Sequence, residues 1–170
     1  MPEINNNAGA QKAQSSQGVP SIGCTIRRDS VTSTLRITEY IEGDLILKGY
    51  TVFENSLVVK GNVRCEKGPH NLVVNGDLRA NKIRVLDLVA RTVVAETINT
   101  RRAHAQEIYT KDMFATGDVW VLGLHAQTAR MRDVRANKVE AEKLQTRSIR
   151  CPSIVCPVVA KLPETKTHRR

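Results

Sequence analysis

The sequence predicts an all-β fold, a parallel β-helix or β-solenoid with disordered tails. Three observations carry this expectation: an apolar period of five, a looser period of six ahead of it, and glycine-acid pairs just before new strands. From Leu78 onward, Leu78, Ile83, Leu88, Val93, Ile98, Ala103, Ile108 and Met113 recur every fifth position. The series slips by one residue at Thr116-Gly117-Asp118 and resumes as Val119, Leu124, Ala129, Val134, Val139, Leu144, Ile149 and Ile154. Two places after each stands a small or apolar companion, from Ala80 and Val85 through Thr146 to Cys151 and Cys156. These 32 positions hold no charged residue in a chain that is 25% charged. Chance placement would do that about once in ten thousand trials.

A period of five fits neither the 3.6 of an α-helix nor the 2.0 of a long strand. Wrapped on a helix, it drifts and leaves no continuous apolar stripe. It does fit a three-residue strand, with two inward residues and one outward, followed by a two-residue corner. The corners are mostly polar, as in Asn81-Lys82, Glu96-Thr97 and Lys111-Asp112. One such coil cannot bury its own apolar face, so coils must stack.

Taken in order, residues 1–30 are rich in Asn, Ala, Gln and Ser and lack the period, so they read as a disordered polar lead-in. The solenoid is expected over 31–156. Its first part repeats at six, with inward pairs Leu45/Leu47, Thr51/Phe53, Leu57/Val59 and Val63/Cys65. Leu72/Val74 follow after an insertion at Glu66-Lys67-Gly68-Pro69-His70. Gly43-Asp44, Gly61-Asn62, Gly76-Asp77 and Gly117-Asp118 precede strands, where glycine can supply positive φ and the polar side chain a turn bond. They read as turns, not as phosphate or metal sites. Residues 157–170 read as a short basic tail.

The net charge of +9 arises wholly after residue 77: residues 1–77 carry eight basic and eight acidic residues, and 78–170 eighteen and nine. The outward Arg79, Arg84, Arg101, Arg102, Arg130, Arg132 and Arg135 are candidate anion contacts, for nucleic acid or an acidic partner surface. Mixed signs at the corners also fit a plain solvated surface. Cys24, Cys65, Cys151 and Cys156 read as reduced, space-filling thiols. With no visible secretory signal and no transmembrane run, the expected location is cytoplasmic.

The strands of the type Leu-x-Ala-x-x-Ile (Leu78 to Ile83) and the Gly-Asp-Leu starts (Gly43-Asp44-Leu45 and Gly76-Asp77-Leu78) resemble those of the bactofilins, bacterial polymer-forming cytoskeletal proteins. The resemblance covers roughly residues 35–156. It implies a right-handed β-helix that polymerises end to end without nucleotide or other cofactor. Such a polymer would be a non-enzymatic scaffold for client or envelope-associated proteins. Met1-Pro2-Glu3-Ile4-Asn5 does not resemble the apolar membrane-touching segment of some members.

Pentapeptide-repeat proteins also step by five, but place the large residue two after the small one. Here it follows by three, as in Ala80 to Ile83, and the basic charge disfavours DNA mimicry. The loose hexads resemble those of left-handed hexapeptide-repeat acyltransferases, which use a histidine between coils. His70 lies in the insertion and His168 in the tail. His104 and His125 sit at outward strand centres, with no carboxylate partner expected from the repeat. No Ser-His-Asp set, glycine-rich phosphate loop or paired carboxylates can be argued, and no metal or cofactor site is expected.

A solenoid ends in unpaired strand edges, which template pairing unless capped. The expected polymer contacts are Leu35, Ile37 and Ile41 at one end and Ile149, Ile154 and Val155 at the other. A second candidate surface is the outward apolar series Val89, Val94, Tyr109, Phe114 and Trp120. It would pack on the lead-in, a neighbouring filament or a client.

Overall fold

The computed structural model describes residues 24–29 and 36–163, and these form a parallel β-solenoid of about eight coils. The strands are β1 (Cys24–Asp29), β2 (Arg36–Ile41), β3 (Leu45–Leu47), β4 (Thr51–Phe53), β5 (Ser56–Val59), β6 (Val63–Cys65) and β7 (Leu72–Val74). They continue as β8 (Asp77–Arg84), β9 (Asp87–Val89), β10 (Thr92–Thr100), β11 (Arg102–Arg135), β12 (Lys138–Arg150), β13 (Ser153–Val155) and β14 (Val158–Lys161). All their pairings are parallel except that of β1 with β2.

Three pentads make one coil. Leu78 pairs with Val93 and Val93 with Ile108, each fifteen residues on. Leu124, Val139 and Ile154 repeat the same step. The coil is therefore three-sided. Its first side carries β2, β5, the start of β8 and β13, its second β3, β6 and β14, and its third β4, β7 and β9. β10, β11 and β12 bend around the corners and serve several sides. The early hexads make longer coils of eighteen residues, as Leu45 pairs with Val63. The insertion after β6 lengthens one to twenty-one, as Thr51 pairs with Leu72.

Inside, the large column is buried without a break from Leu78 to Leu144. The companions stand next to the corners, where a three-sided prism narrows, which selects Ala, Thr and Cys. The hydroxyls there also close the corner. Thr100 donates to the carbonyls of Leu86 and Arg102, both at 2.8 Å, and Thr146 to those of Arg132 and Ser148 at 3.2 and 2.9 Å. Cys151 and Cys156 copy this with thiols, donating to the carbonyls of Ser153 and Val158 at 3.0 and 3.1 Å. They are free and half-buried, packing against the core while also acting as corner donors.

The structure corrects the role of the glycines. Among the described glycines positive φ occurs only at Gly68, at 72°, inside the insertion. Gly61 and Gly76 are instead demanded by the close approach of stacked coils. A Cβ on Gly76 would lie 2.7 Å from the Ser56 nitrogen, and one on Gly61 2.7 Å from the Gly43 carbonyl carbon.

The solenoid also outruns its expected limits. Val158–Lys161 pairs with Lys143–Thr146 and completes a last coil beyond Cys156. Within the expected lead-in, Cys24–Asp29 pairs antiparallel with β2. The remaining lead-in residues and residues 164–170 lie outside the described residues.

Two stability measurements check this packing. Ile98 is fully buried, and Ile98→Ala should cost about 2–5 kcal/mol in denaturant unfolding, as for other large-to-small core changes. Gly76→Ala should cost about 1–3 kcal/mol despite its small size, because it overpacks rigid backbone; an unchanged midpoint would contradict the close approach.

Candidate functional site

The two ends of the solenoid differ. At the carboxyl end no described residue covers the core column. Val139 and Leu144 are completely buried, whereas their in-register neighbours one coil on, Ile154 and Val159, are 40% and 54% exposed. Ile149, above Val134, is half-buried. β13 and β14 each pair only with β12 among the described strands, so their outer edges present free N–H and C=O groups. Ile149 and Ile154 thus stand where the sequence placed them. Val155 also lies in the end coil, in register with Glu140 and facing outward, and Val159 continues the core column over Leu144. The sequence reading missed Val159 because it ended the solenoid at Cys156.

The amino-terminal end is more closed. β2 carries β1 along its edge, with Ile37 opposite Arg28 and Ile41 opposite Cys24. Ile41, Leu45 and Leu47 are buried. Ile37 and Ile41 are therefore not residues of an open edge, and Leu35 lies outside the described residues.

The outward apolar series does not form one patch. With three sides per coil, its members fall on three surfaces. Val94 and Tyr109 share the first side, Phe114 is on the second, and Val89 and Trp120 are on the third. All five are 37–47% exposed. The third side gathers more apolar surface than the series suggested, because Val52, Val73 and Val89 stack in register and lead on to His104 and Trp120. His104 meets Trp120 edge-on at 5.9 Å. Beside them runs a groove of about 640 Å³ lined by Val89, His104, Trp120, Leu122, Arg135 and Arg150.

The candidate anion contacts are dispersed too. Arg101 and Arg102 both reach Asp87, at 3.5 and 2.6 Å, and Arg132 reaches Asp133 at 3.0 Å. Arg130 lies over the Phe114 ring and Arg135 over that of Trp120, at 5.8 and 5.3 Å. Arg79 and Arg84 make no ion pair among the described residues. Most corner ion pairs link one coil to the next, as in Asp77–Arg91, Glu96–Lys111 and Asp133–Arg147.

His125 is better furnished than its sequence neighbours suggested. Its ring stacks on Tyr109 at 4.6 Å, its Nδ1 lies 2.6 Å from Glu140, and its Nε2 lies 3.5 Å from Glu107. The expectation of no repeat-set carboxylate was wrong, since Glu140 is the in-register residue one coil on. Lys138 also bonds Glu140 and, with His125, holds its carboxyl below the usual range against partial desolvation. Among the described residues no three His, Cys, Asp or Glu side chains gather as a metal set.

Comparison with models of known families, with characterised proteins and with solved structures returns no match to this chain.

Two measurements check this surface. The Arg102 hydrogen bond, opposed by burial and aided by both neighbouring arginine charges, holds the Asp87 carboxyl below its ordinary value. Its stabilisation is therefore present at neutral pH and is lost as pH falls through the carboxylate range. Asp87→Asn should cost about 1 kcal/mol at pH 7 and progressively less as pH falls below the ordinary aspartate value, read from thermal melts across that acid range. Trp120, the only tryptophan, is 47% exposed. Its fluorescence should be readily quenched by acrylamide in the folded protein, and a shielded emission would show the third side covered.

Proposed function

We propose that this protein is a structural scaffold that assembles end to end into filaments without nucleotide, in the manner the bactofilin resemblance implies. The observation that carries the reading is the uncovered last coil. Ile154 and Val159 belong to a column that is fully buried one coil earlier, and the outer edges of β13 and β14 have no partner among the described strands. A further coil from a second molecule would complete both. Burying the exposed halves of Ile154 and Val159 would contribute on the order of 1 kcal/mol each. The backbone ladder would add orientation. The reading is non-enzymatic, as the bactofilin resemblance implies.

No helix of the described residues is long and apolar enough to cross a membrane. The proposal puts the filament in the cytoplasm, reaching the envelope through client proteins. A basic binding module for nucleic acid finds less support. Five of the seven candidate arginines are engaged by carboxylates or aromatic rings, and the seven do not share one face.

Negative-stain microscopy of the full chain tests the proposal. Filaments are expected at micromolar protein in both low and high salt, because strand-edge pairing resists screening while phosphate-backbone binding weakens steeply with salt. Ile154→Lys with Val159→Lys should yield folded monomers. A wild-type protein that stays monodisperse and monomeric at both salt levels would sink the reading.

A further inference from the structure

The insertion Glu66-Lys67-Gly68-Pro69-His70, between β6 and β7, is the largest departure from the repeat. In stacked-repeat folds such insertions map to loops on one face, often the binding face. This one stands beside a pocket of about 620 Å³ lined by Gly68 and Pro69 on one flank and by Arg64, Arg84, Arg101 and Asn99 on the solenoid. No carboxylate lines it.

The arginines are arranged against the habit of the rest of the surface. Elsewhere a corner cation commonly meets a carboxylate from the next coil, whereas Arg64 and Arg84 lie directly opposite each other on β6 and β8. Like charges in that relation destabilise a sheet. Arg84 has no ion-pair partner among the described residues. Arg64 reaches Asp44 only at 3.5 Å, and that carboxylate also accepts from the backbone and side chain of Asn62. Arg101 is the more distant partner of Asp87, at 3.5 Å against 2.6 Å for Arg102. Arg135 and Arg150 are likewise in register one coil apart. There, however, Arg135 rests on Trp120 and no insertion walls the site.

We propose that this pocket binds a compact phosphate-bearing anion. A single carboxylate can satisfy one guanidinium fork. A phosphate brings more charge and three acceptor oxygens that several forks can share. The volume lies within the range of small-ligand sites. The pocket is remote in sequence from the last coil, so it stands or falls independently of filament assembly.

Calorimetric titration of the full chain with inorganic pyrophosphate tests the site. Saturable binding at about one site per chain is expected. It should weaken about tenfold or more in Arg64→Gln/Arg84→Gln and less than about threefold in the control Arg135→Gln/Arg150→Gln. Because Arg84→Gln relieves a repulsion, it should raise the melting temperature without anion and remove the rise that pyrophosphate gives the wild type. Cosedimentation with phosphatidylcholine vesicles containing phosphatidic acid identifies the source. Vesicle binding lost in Arg64→Gln/Arg84→Gln assigns a lipid headgroup, and pyrophosphate binding without vesicle binding assigns a free phosphate compound. Absence of saturable binding in both arms, or equal loss in the control variant, overturns the proposal.

Discussion

The parallel backbone ladder between coils is the constraint on which the molecule depends. A three-residue strand has no independent stability. It persists here because each N–H and C=O along it is answered by the coil before and the coil after. That ladder sets one residue over another fifteen positions on, and every other regularity follows. Core residues stack on their own kind, giving an unbroken column from Leu78 to Leu144. The corner hydroxyl of Thr100 reaches a carbonyl of the preceding coil as well as its own. Acids at one corner meet bases at the next, as in Asp77–Arg91. Where the slip near Gly117 lengthens one coil, the stacks shift to sixteen residues, and Tyr109 still finds His125.

The same constraint decides where function can reside. A filled interior leaves the ends and the outer columns. The ends are unequal among the described residues: β1 lies along the edge of β2, although β3 and β4 each pair on one side only, while no described strand lies along the outer edges of β13 and β14. At the amino side Ile41, Leu45 and Leu47 are buried, while at the carboxyl side Ile154 and Val159 lie open. Stacked-repeat folds need terminal units with a polar outer face to remain as single molecules. Among the described residues the last coil instead shows apolar Ile154 and Val159, which is what supports the proposal that the molecule is a subunit. The outer columns are finer-grained, because each side carries its own sequence of apolar, aromatic and basic rungs.

Much of the fold was legible in the sequence because the period acts through local geometry. Charge is excluded from inward positions, and that exclusion can be read directly. The coil length was not legible, since a period of five is compatible with three sides or four. Without it, no residue could be assigned its neighbour one coil away. Val89, Val94, Tyr109, Phe114 and Trp120 therefore looked like one patch when they are divided among three sides. For the same reason the Glu140 partner of His125 and the opposition of Arg64 and Arg84 were invisible. Val159 escaped notice because Pro157 seemed to end the repeat, yet it only starts the last side. The glycines were recognised as special but for the wrong cause, since contact between coils is a non-local property.

End-to-end assembly as proposed requires the strand ladder to continue from one molecule into the next. Diffraction from aligned assemblies, or a cryo-electron reconstruction, measures this directly. Strands perpendicular to the filament axis are expected, with the roughly 4.8 Å spacing of paired strands running unbroken through a junction that buries Ile154 and Val159. Assemblies whose junctions leave the last coil exposed, with a gap in that spacing between subunits, would contradict it.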